Sequence, residues 1–236
     1  MLDNRRYYDE FSSWYEKRRH DGYHALIDDL ETELVMPYCR GKDVLEIGCG
    51  TGLILRRTAP VARFAAGIDI SEGMLGVAAD RDLVTVQGSA TDLPFKDGSF
   101  DTIYSFKVLA HVEDIGRAMS EFVRVTWPGA TMVLEFYNRR SLRYAVKRLT
   151  QPGAISAETN EDSVYTRWDT MEELLGVMPD ALSLIRVAGV RVFTPAAFVH
   201  RLPGVSQIMG RVETMARDSS LFAPYGGFLV LLLRRN

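Results

Sequence analysis

Short apolar runs alternate with helical segments between residues 43 and 137. The runs carry little polar alternation, which is typical of strands that are buried on both faces of a parallel sheet. Because parallel strands are joined by right-handed crossovers, this pattern predicts an α/β fold with a doubly wound sheet. The five runs are DVLEIG (43–48), RFAAGID (63–69), LVTVQGS (83–89), FDTIYSF (100–106) and TMVLEFY (131–137).

Two helices have clear boundaries in the sequence. Residues 1–40 are polar and aromatic, and HALIDDLETELV (24–35) has helical spacing with a stop at Pro37. DIGRAMSEFVRVT (114–126) is the second helix, and WPGA (127–130) supplies the proline and glycine that are expected where a helix ends.

The regularity fades beyond residue 138. Residues 150–170 show no clear period, which predicts a lid or loop. GVRVF (189–193) and FLVLLL (228–233) are predicted as two further strands, and a mostly helical stretch containing SQIMGRVETMAR (206–217) lies between them.

The composition is that of an ordinary globular protein. The chain has 236 residues, of which 47% are hydrophobic and 25% charged, enough for one sizeable domain. A net charge of −3 gives no field that would attract nucleic acid, so RNA or DNA is not expected as a partner. MLDNRRYYDEF is charged where a signal peptide needs an apolar run, and FLVLLL is too short for a membrane helix, so we expect a cytoplasmic protein. Cys39 and Cys49 give neither a disulfide framework nor a zinc spacing, and no metal is expected.

Three glycines follow the first predicted strand, at positions 48, 50 and 52. A bare backbone there lets a ligand approach the N–H groups, and the helix that begins next favours negative charge. A dinucleotide fingerprint would need a glycine at position 53, which is Leu53, and no lysine follows to complete a phosphate-binding loop of the Walker type. The spacing predicts a nucleotide-like ligand without identifying it.

Four further motifs follow the glycine motif EIGCGTG (46–52) in a fixed order: GIDISEGML (67–75), GSATDLPF (88–95), FKDGSFDTIYSFKVLAHV (95–112) and RVTWPGA (124–130). Together the five motifs resemble the class I S-adenosylmethionine-dependent methyltransferases over roughly residues 40–138, with the closest likeness to the small-molecule branch that includes the ubiquinone and menaquinone methyltransferases. The resemblance implies a Rossmann-like, seven-stranded sheet, mostly parallel with an antiparallel last strand, and S-adenosyl-L-methionine as cofactor, with S-adenosyl-L-homocysteine as its product.

The resemblance also implies which residues contact the cofactor. The glycine loop would lie under its amino-acid part, Asp69 would accept hydrogen bonds from both ribose hydroxyls, and Phe106 would lie near the sulfonium. Ser89 stands where the family usually has an aspartate against the adenine, so we expect retained but weaker binding. The full expected set is Tyr15, Glu46, Gly48, Cys49, Gly50, Gly52, Asp69, Ile70, Met74, Ser89, Ala90 and Phe106.

Simpler roles remain open for several of these residues. The glycines could only permit a tight turn between strand and helix. Asp69 could be a helix N-cap, although Ser71 is the better candidate for that role and would free Asp69 for a ligand. Met74 could equally belong to the core.

Two residues are candidates for the catalytic chemistry. Methyl transfer is an in-line displacement that depends mainly on orientation in a dry pocket, and it needs a base only when the nucleophile is a hydroxyl or an acidic carbon. The resemblance places His111 near the reactive end of the cofactor, as a base or as a structural histidine. Glu135 lies in an apolar strand, where burial would raise its pKa, either as a base or as a hydrogen-bonded supporting residue.

Other residues are expected at the acceptor side. Lys107 would bind an anionic group or extend to solvent. The aromatic side chains of Tyr7, Tyr8, Trp14 and Tyr15 would form an N-terminal flap over the pocket, or a helix face packed on the domain. The residues expected to contact the acceptor are Lys107, Tyr137, Tyr165, Arg167, Trp168 and His200.

A basic amphipathic segment, NRRSLRYAVKRL (138–149), follows the fifth predicted strand. Such a helix can rest on an anionic membrane, receive an anionic carrier or substrate, or present a solvated face. We therefore keep a weak membrane or carrier contact through residues 139–149 as an expectation.

These patterns together predict one methyltransferase domain over residues 1–236. It transfers a methyl group to a small organic acceptor, at oxygen, as a monomer or homodimer. Methylation of a protein or RNA, and non-catalytic binding of S-adenosylmethionine, are the alternatives. The expected parts are a helical flap (1–40), a cofactor-binding core (41–138), acceptor-side helices, loop and strand (139–225) and the last strand (226–236).

Overall fold

A seven-stranded sheet forms the centre of the molecule. The structure, a computed structural model, describes residues 4–16, 22–149, 164–194 and 205–236. The strand order is β3-β2-β1-β4-β5-β7-β6, in which β7 runs antiparallel to both of its neighbours and the other pairings are parallel. The predicted sheet with an antiparallel last strand is confirmed. The strands are β1 (Asp43–Ile47), β2 (Phe64–Asp69), β3 (Thr85–Gln87), β4 (Phe100–Ser105), β5 (Thr126–Tyr137), β6 (Leu182–Val190) and β7 (Phe228–Arg235).

Helices pack on both faces of this sheet. Side chains of the described residues stabilise several helix starts: Ser71 Oγ accepts the N–H of Met74 at 3.1 Å, and Asp114 Oδ1 accepts the N–H of Arg117 at 2.9 Å. Within the described residues, no helix is both long enough and apolar enough to cross a membrane. The helices are α1 (Asn4–Tyr15), α2 (Tyr23–Cys39), α3 (Leu55–Thr58), α4 (Glu72–Ala79), α5 (Ile115–Val125), α6 (Leu142–Leu149), α7 (Met171–Gly176) and α8 (Val205–Arg217).

The core lies in two layers, one on each face of the sheet. Side chains alternate between the faces along a strand, so neighbouring residues of β1 belong to different layers. Leu45 packs in the layer that contains Phe122 of α5, whereas Val44 packs in the layer that contains Leu30 of α2. The absence of polar alternation in the strand sequences follows from this burial on both faces.

Two predicted boundaries around prolines are wrong. Helix α2 continues through Pro37 and ends two residues later at Cys39, and the chain turns away at Gly41, where φ is +66°. Helix α5 ends at Val125 and β5 begins at the next residue, Thr126. Residues 127–130 therefore belong to the strand and do not form a turn between the two elements. Strand β5 therefore begins five residues earlier than the predicted 131.

The edge strands also depart from the predicted bounds. Strand β6 spans Leu182–Val190 instead of 189–193, and a bulge interrupts its pairing between Leu184 and Arg186. This strand lies at the edge of the sheet and leaves Ile185 exposed, so its sequence lacks the continuous apolar run of a central strand. Strand β3, at the opposite edge, keeps only Thr85–Gln87 of the predicted 83–89.

A buried carboxylate in α8 holds the segment that follows β6. Glu213 accepts the backbone N–H of Val192 at 2.7 Å, of Phe193 at 3.0 Å and of Thr194 at 2.7 Å, and it also accepts the Thr194 hydroxyl at 2.7 Å. Its side chain is 1% exposed. Without the Glu213 carboxylate these backbone N–H groups would lose their acceptor, and buried N–H groups need hydrogen-bond partners.

Replacing Glu213 with glutamine should lower the free energy of unfolding by about 3 kcal/mol, because charge-assisted hydrogen bonds are lost and an amide donor then faces N–H donors. Urea denaturation at neutral pH measures this change. Glu172→Gln is the matched control, since Glu172 is an exposed carboxylate that pairs with Arg140 at the surface. Equal stability of the two variants would contradict the proposed importance of Glu213.

Candidate functional site

A cavity of about 810 Å³ opens at the carboxyl ends of the central strands. Its wall includes Gly48 after β1, Asp69 at the end of β2, Phe106 after β4 and Tyr137 at the end of β5. The strand order reverses between β1 and β4, which is where open α/β sheets bind ligands. The volume lies in the range of small-molecule sites.

The glycine loop exposes bare backbone to this cavity. Gly48 and Gly50 both have left-handed backbone, with φ of +69° and +53°. A Cβ built at Gly50 would meet no atom within 4 Å, so the space above this residue is open to a ligand. At Gly48 the same Cβ would lie 2.2 Å from the Val108 side chain. The open space at Gly50 is what the predicted contact between this loop and the amino-acid part of S-adenosylmethionine would need.

Alanine at position 48 should lower the affinity for S-adenosylhomocysteine and destabilise the fold by about 1–3 kcal/mol, because it combines left-handed strain with a clash against Val108. Calorimetric titration and thermal unfolding measure the two effects. Gly76→Ala is the control: it lies inside α4 with nothing within 4 Å of an added Cβ. That variant should gain about 0.5–1 kcal/mol. Wild-type affinity in Gly48→Ala would contradict the assignment of the loop.

Asp69 faces the cavity from the end of β2. Its Oδ2 accepts the N–H of Gly50 at 2.8 Å, and its Oδ1 accepts the N–H of Ser71 at 2.9 Å. Burial raises the pKa of this carboxyl, and the two backbone hydrogen bonds oppose that rise. Ser71 caps α4, as the sequence predicts, so Asp69 is not the N-cap and keeps acceptor capacity for a ligand.

Helix α1 covers one side of the cavity with a row of aromatic rings. Tyr7, Tyr8, Phe11 and Tyr15 all line it, which places the predicted flap helix over the ligand site. The side chain of Trp14 lies outside what the structure describes. The sequence analysis did not include Phe11, although the spacing of 7, 8, 11 and 15 identifies one face of a helix.

Two carboxylates, Asp9 and Glu16, attach α1 and the residue after it to the cofactor side, and Glu16 does so through an ion pair with Arg81 at 2.7 Å. Asp9 Oδ1 accepts the Ser71 hydroxyl at 2.6 Å and the N–H of Gly73 at 3.0 Å. The hydrogen bond from Ser71 is the main reason why the pKa of Asp9 is lowered. The helix N-terminus that begins at Ser71 thus contacts both α1 and the loop end at Asp69.

His111 lies at the far end of the cavity, in a 3₁₀ turn formed by Leu109–His111. Its Nδ1 is 2.8 Å from the Tyr165 carbonyl oxygen, and Asn4 Nδ2 donates to the His111 carbonyl at 2.8 Å. Burial lowers the pKa of the imidazole, and the positive charges of Arg143 and Lys147 lower it further, against the hydrogen bond to Tyr165. The ring is therefore neutral at pH 7, with Nδ1–H donating to Tyr165 and a lone pair on Nε2.

Glu135 does not line the cavity. Its Oε1 accepts the backbone N–H of Lys107 at 3.0 Å, and burial raises its pKa well above the usual range. Lys107 lies at the cavity wall, but its Nζ donates to Asp28 Oδ1 at 2.9 Å and to Glu31 Oε2 at 2.6 Å. Both residues thus fix the loop after β4, where Lys107 adopts φ of +60°, from behind the wall.

The other candidates divide between the cavity and its surroundings. Arg167 makes a bidentate ion pair with Asp169, with its Nη2 2.7 Å from Oδ1, and Glu46 accepts the Tyr104 hydroxyl at 3.1 Å. His200 falls outside the described residues. Those at the cavity are Tyr15, Gly48, Gly50, Asp69, Ile70, Met74, Ser89, Ala90, Phe106, Lys107, His111, Tyr137 and Tyr165, whereas Glu46, Cys49, Gly52, Glu135, Arg167 and Trp168 do not line it.

In the basic segment after β5, some charged side chains lie at the surface and others line the cavity. Arg139 pairs with Glu173 at 2.9 Å and Arg140 pairs with Glu172 at 3.1 Å, both across to α7. Arg143, the second residue of α6, lines the cavity. The sequence analysis did not assign Arg143 to the acceptor site. Its position four residues before Lys147 indicates that both side chains lie on one face of a helix, and both line the cavity.

Comparisons with known proteins agree with this geometry. Residues 45–134 match the family described as a methyltransferase domain. A demethylmenaquinone methyltransferase of Corynebacterium glutamicum is 29% identical over 147 residues, which are 57% of this chain and 64% of that protein. The chain therefore spans less than two thirds of the length of that relative. The resemblance that the five motifs predict is confirmed.

Two solved structures share the fold. A methyltransferase from Thermotoga maritima, described as S-adenosylmethionine-dependent and as a possible histamine N-methyltransferase, has a TM-score of 0.72 and 20% identity, covering 97% of this chain and 98% of that one. The cyclase SpnF has a TM-score of 0.68 and 19% identity, covering 98% of this chain and 95% of that one. At these identities the likeness shows the fold alone, which carries more than one activity.

Proposed function

We propose that this chain, whose residues 45–134 form a class I S-adenosylmethionine-dependent methyltransferase domain, transfers a methyl group to a hydroxyl oxygen of a small organic acceptor. One observation carries the proposal. A single cavity joins the glycine loop and Asp69 at one end to the neutral imidazole of His111 at the other. A cofactor site and a candidate base thus lie in one enclosure.

The cofactor end of this cavity has a place for each part of S-adenosylmethionine. The backbone at Gly50 would hold the amino-acid part, and Asp69 would accept hydrogen bonds from the ribose hydroxyls. Met74 and the Ser89–Ala90 backbone, which line the same cavity, would contact the adenine. When bound, the cofactor supplies an electrophilic methyl group whose leaving group is already activated.

The residues of the acceptor end remove a proton and exclude water. His111 Nε2 takes the proton from the acceptor hydroxyl while the Tyr165 carbonyl holds Nδ1–H, which fixes the tautomer and stabilises the imidazolium that forms. The rings of Tyr8 and Tyr137 pack against His111, with centroids at 6.0 and 5.7 Å, and keep this end apolar. Such enclosure favours transfer to the acceptor over reaction with water.

A small acceptor fits this enclosure better than a macromolecule. Helix α1 covers one side of the cavity, and residues 164–166 line the end near His111. The net charge of −3 also gives no general attraction for RNA. The relative named demethylmenaquinone methyltransferase supports a ring-bearing small-molecule acceptor. A cytoplasmic location, the oligomeric state and membrane contact stay predictions.

The proposal is tested by incubating the purified protein with methyl-labelled S-adenosylmethionine and an extract of the organism that encodes it. Label should appear in the organic-soluble small molecules. Hydriodic acid should then release it as volatile methyl iodide, because this reagent cleaves O-methyl but not C-methyl groups. Label that remains non-volatile would show that the methyl group is bound to carbon or nitrogen instead of oxygen. Label in protein or RNA would contradict the small acceptor, and no label despite cofactor binding would favour a non-catalytic protein.

A further inference from the structure

The guanidinium group of Arg143 lies in a cage of aromatic rings at the acceptor end of the cavity. Its Cζ is 4.1 Å from the ring centroid of Tyr137, 4.5 Å from that of Phe228 and 4.8 Å from that of Trp168. Stacking of this kind fixes the plane of the guanidinium through cation–π contacts. A guanidinium group that is already held in one plane loses little conformational entropy when it binds a planar anion.

This guanidinium has unused donor capacity. Arg143 Nη1 is buried and has no hydrogen-bond partner, and no ion pair within 4 Å joins Arg143 to any carboxylate of the described residues. A buried charged donor without a partner is costly. Because Arg143 itself lines the cavity, a ligand there is positioned to accept hydrogen bonds from the guanidinium group.

Within the described residues, no neighbouring carboxylate accepts a hydrogen bond from Arg143. Glu135 lies within electrostatic reach of Arg143, but no ion pair within 4 Å joins them. Glu135 Oε1 accepts the N–H of Lys107 at 3.0 Å, and its Oε2 is buried without a partner among the described residues. Two positively charged groups, Arg191 and Lys147, also lie near this end of the cavity.

Two acidic side chains of the cavity wall, Glu113 and Asp114, follow His111 closely in the chain. Asp114 Oδ1 accepts the N–H of Arg117 at 2.9 Å, and Arg117 Nε donates to the Thr91 carbonyl at 2.8 Å. Within the described residues, neither carboxylate forms an ion pair with Arg143.

We propose that the methyl acceptor is a small hydroxy acid whose carboxylate binds the Arg143 guanidinium while its hydroxyl faces His111. This inference rests on the proposed function and names its substrate class. A carboxylate matches the fork of a guanidinium with two parallel hydrogen bonds, and the aromatic cage excludes the water that would weaken them. Arg143 then determines both affinity for the acceptor and its orientation toward the base.

Binding of a simple probe tests this site without any turnover. With S-adenosylhomocysteine bound, benzoate should raise the thermal unfolding temperature and benzamide, which has the same shape without the charge, should not. Arg143→Gln should abolish the benzoate effect, Arg143→Lys should keep part of it, and Arg148→Gln should keep all of it. Arg148 is the matched control because it is exposed on the same helix and does not line the cavity. Equal effects of benzoate and benzamide, or no effect of benzoate, would overturn the inference.

The charge of the labelled product gives a second and independent readout. The organic-soluble product should bind an anion exchanger at pH 7, and Arg143→Gln should raise KM for its precursor by about 10- to 100-fold, the effect expected for one charged hydrogen-bonded contact. The affinity for S-adenosylhomocysteine should not change. A neutral product with unchanged KM would overturn the inference and leave the proposed function intact. Absence of methyl transfer alongside Arg143-dependent benzoate binding would contradict the function but support the anion site.

Discussion

Replacing His111 with glutamine is expected to lower kcat by about 100- to 10,000-fold, the range for loss of a general base. Glutamine retains polarity and approximate size but cannot take a proton at Nε2. The affinity for S-adenosylhomocysteine should stay at the wild-type value, because the glycine loop and Asp69 lie at the other end of the cavity. Single-turnover methyl transfer and calorimetric titration measure the two quantities.

The pH profile of the wild-type enzyme provides a check on the same residue. Burial lowers the pKa of His111 below that of an ordinary histidine, and only the neutral ring acts as a base. The rate should therefore stay constant as pH falls through 6.5, the usual histidine pKa, and decline only below it. His24→Gln, at an exposed histidine of α2, should leave this profile unchanged. Wild-type turnover in His111→Gln would instead identify a structural histidine.

Replacing Asp69 with alanine is the second change with a large expected effect. It should raise the dissociation constant for S-adenosylhomocysteine by about 10- to 100-fold, since a charged acceptor is lost and the Gly50 N–H loses its partner. Calorimetric titration measures the affinity. Asp80→Ala, at an exposed aspartate just after α4, is the control and should bind normally.

A cofactor analogue separates the ribose contact from support of the loop. Wild-type protein should bind the 2′-deoxy analogue of S-adenosylhomocysteine more weakly than the parent compound, whereas Asp69→Ala should bind both equally. If the difference in affinity between the two compounds disappears in Asp69→Ala, Asp69 contacts the ribose directly. An unchanged difference in the variant would mean that Asp69 only supports the glycine loop.

The sequence predicts the cofactor end far better than the acceptor end, and there is a physical reason. Gly48, Gly50 and Asp69 lie at the ends of adjacent central strands, so a local motif and buried strands suffice to bring them together. Arg143 meets Tyr137, Trp168 and Phe228 only because α6 packs near the junction of β5 and β7. No local pattern specifies that packing.

Two predicted carboxylates, Glu46 and Glu135, are buried in the layer that contains α2 and do not line the cavity. Side chains alternate along a strand, so Glu46 shares a face with Val44, and Glu135 shares a face with Val133. Both valines pack in the layer that contains α2. A carboxylate near the end of an apolar strand can thus be recognised from the sequence, but its contact with Tyr104 or Lys107 depends on the assembled sheet.

The attachment of α1 by Asp9 has a consequence for the order of events in a catalytic cycle. The aromatic face of α1 and the glycine loop line the same cavity, so a cofactor between them is covered on that side by the helix. Departure past α1 requires breaking the bonds from Ser71 and Gly73 to Asp9 and the ion pair between Arg81 and Glu16, while the hydroxyl of Ser71 can still accept the N–H of Met74. Helix α4 therefore keeps its cap when α1 detaches. Because Asn4 of the same helix donates to the His111 carbonyl, we expect one opening of α1 to loosen both the cofactor end and the acceptor end of the cavity.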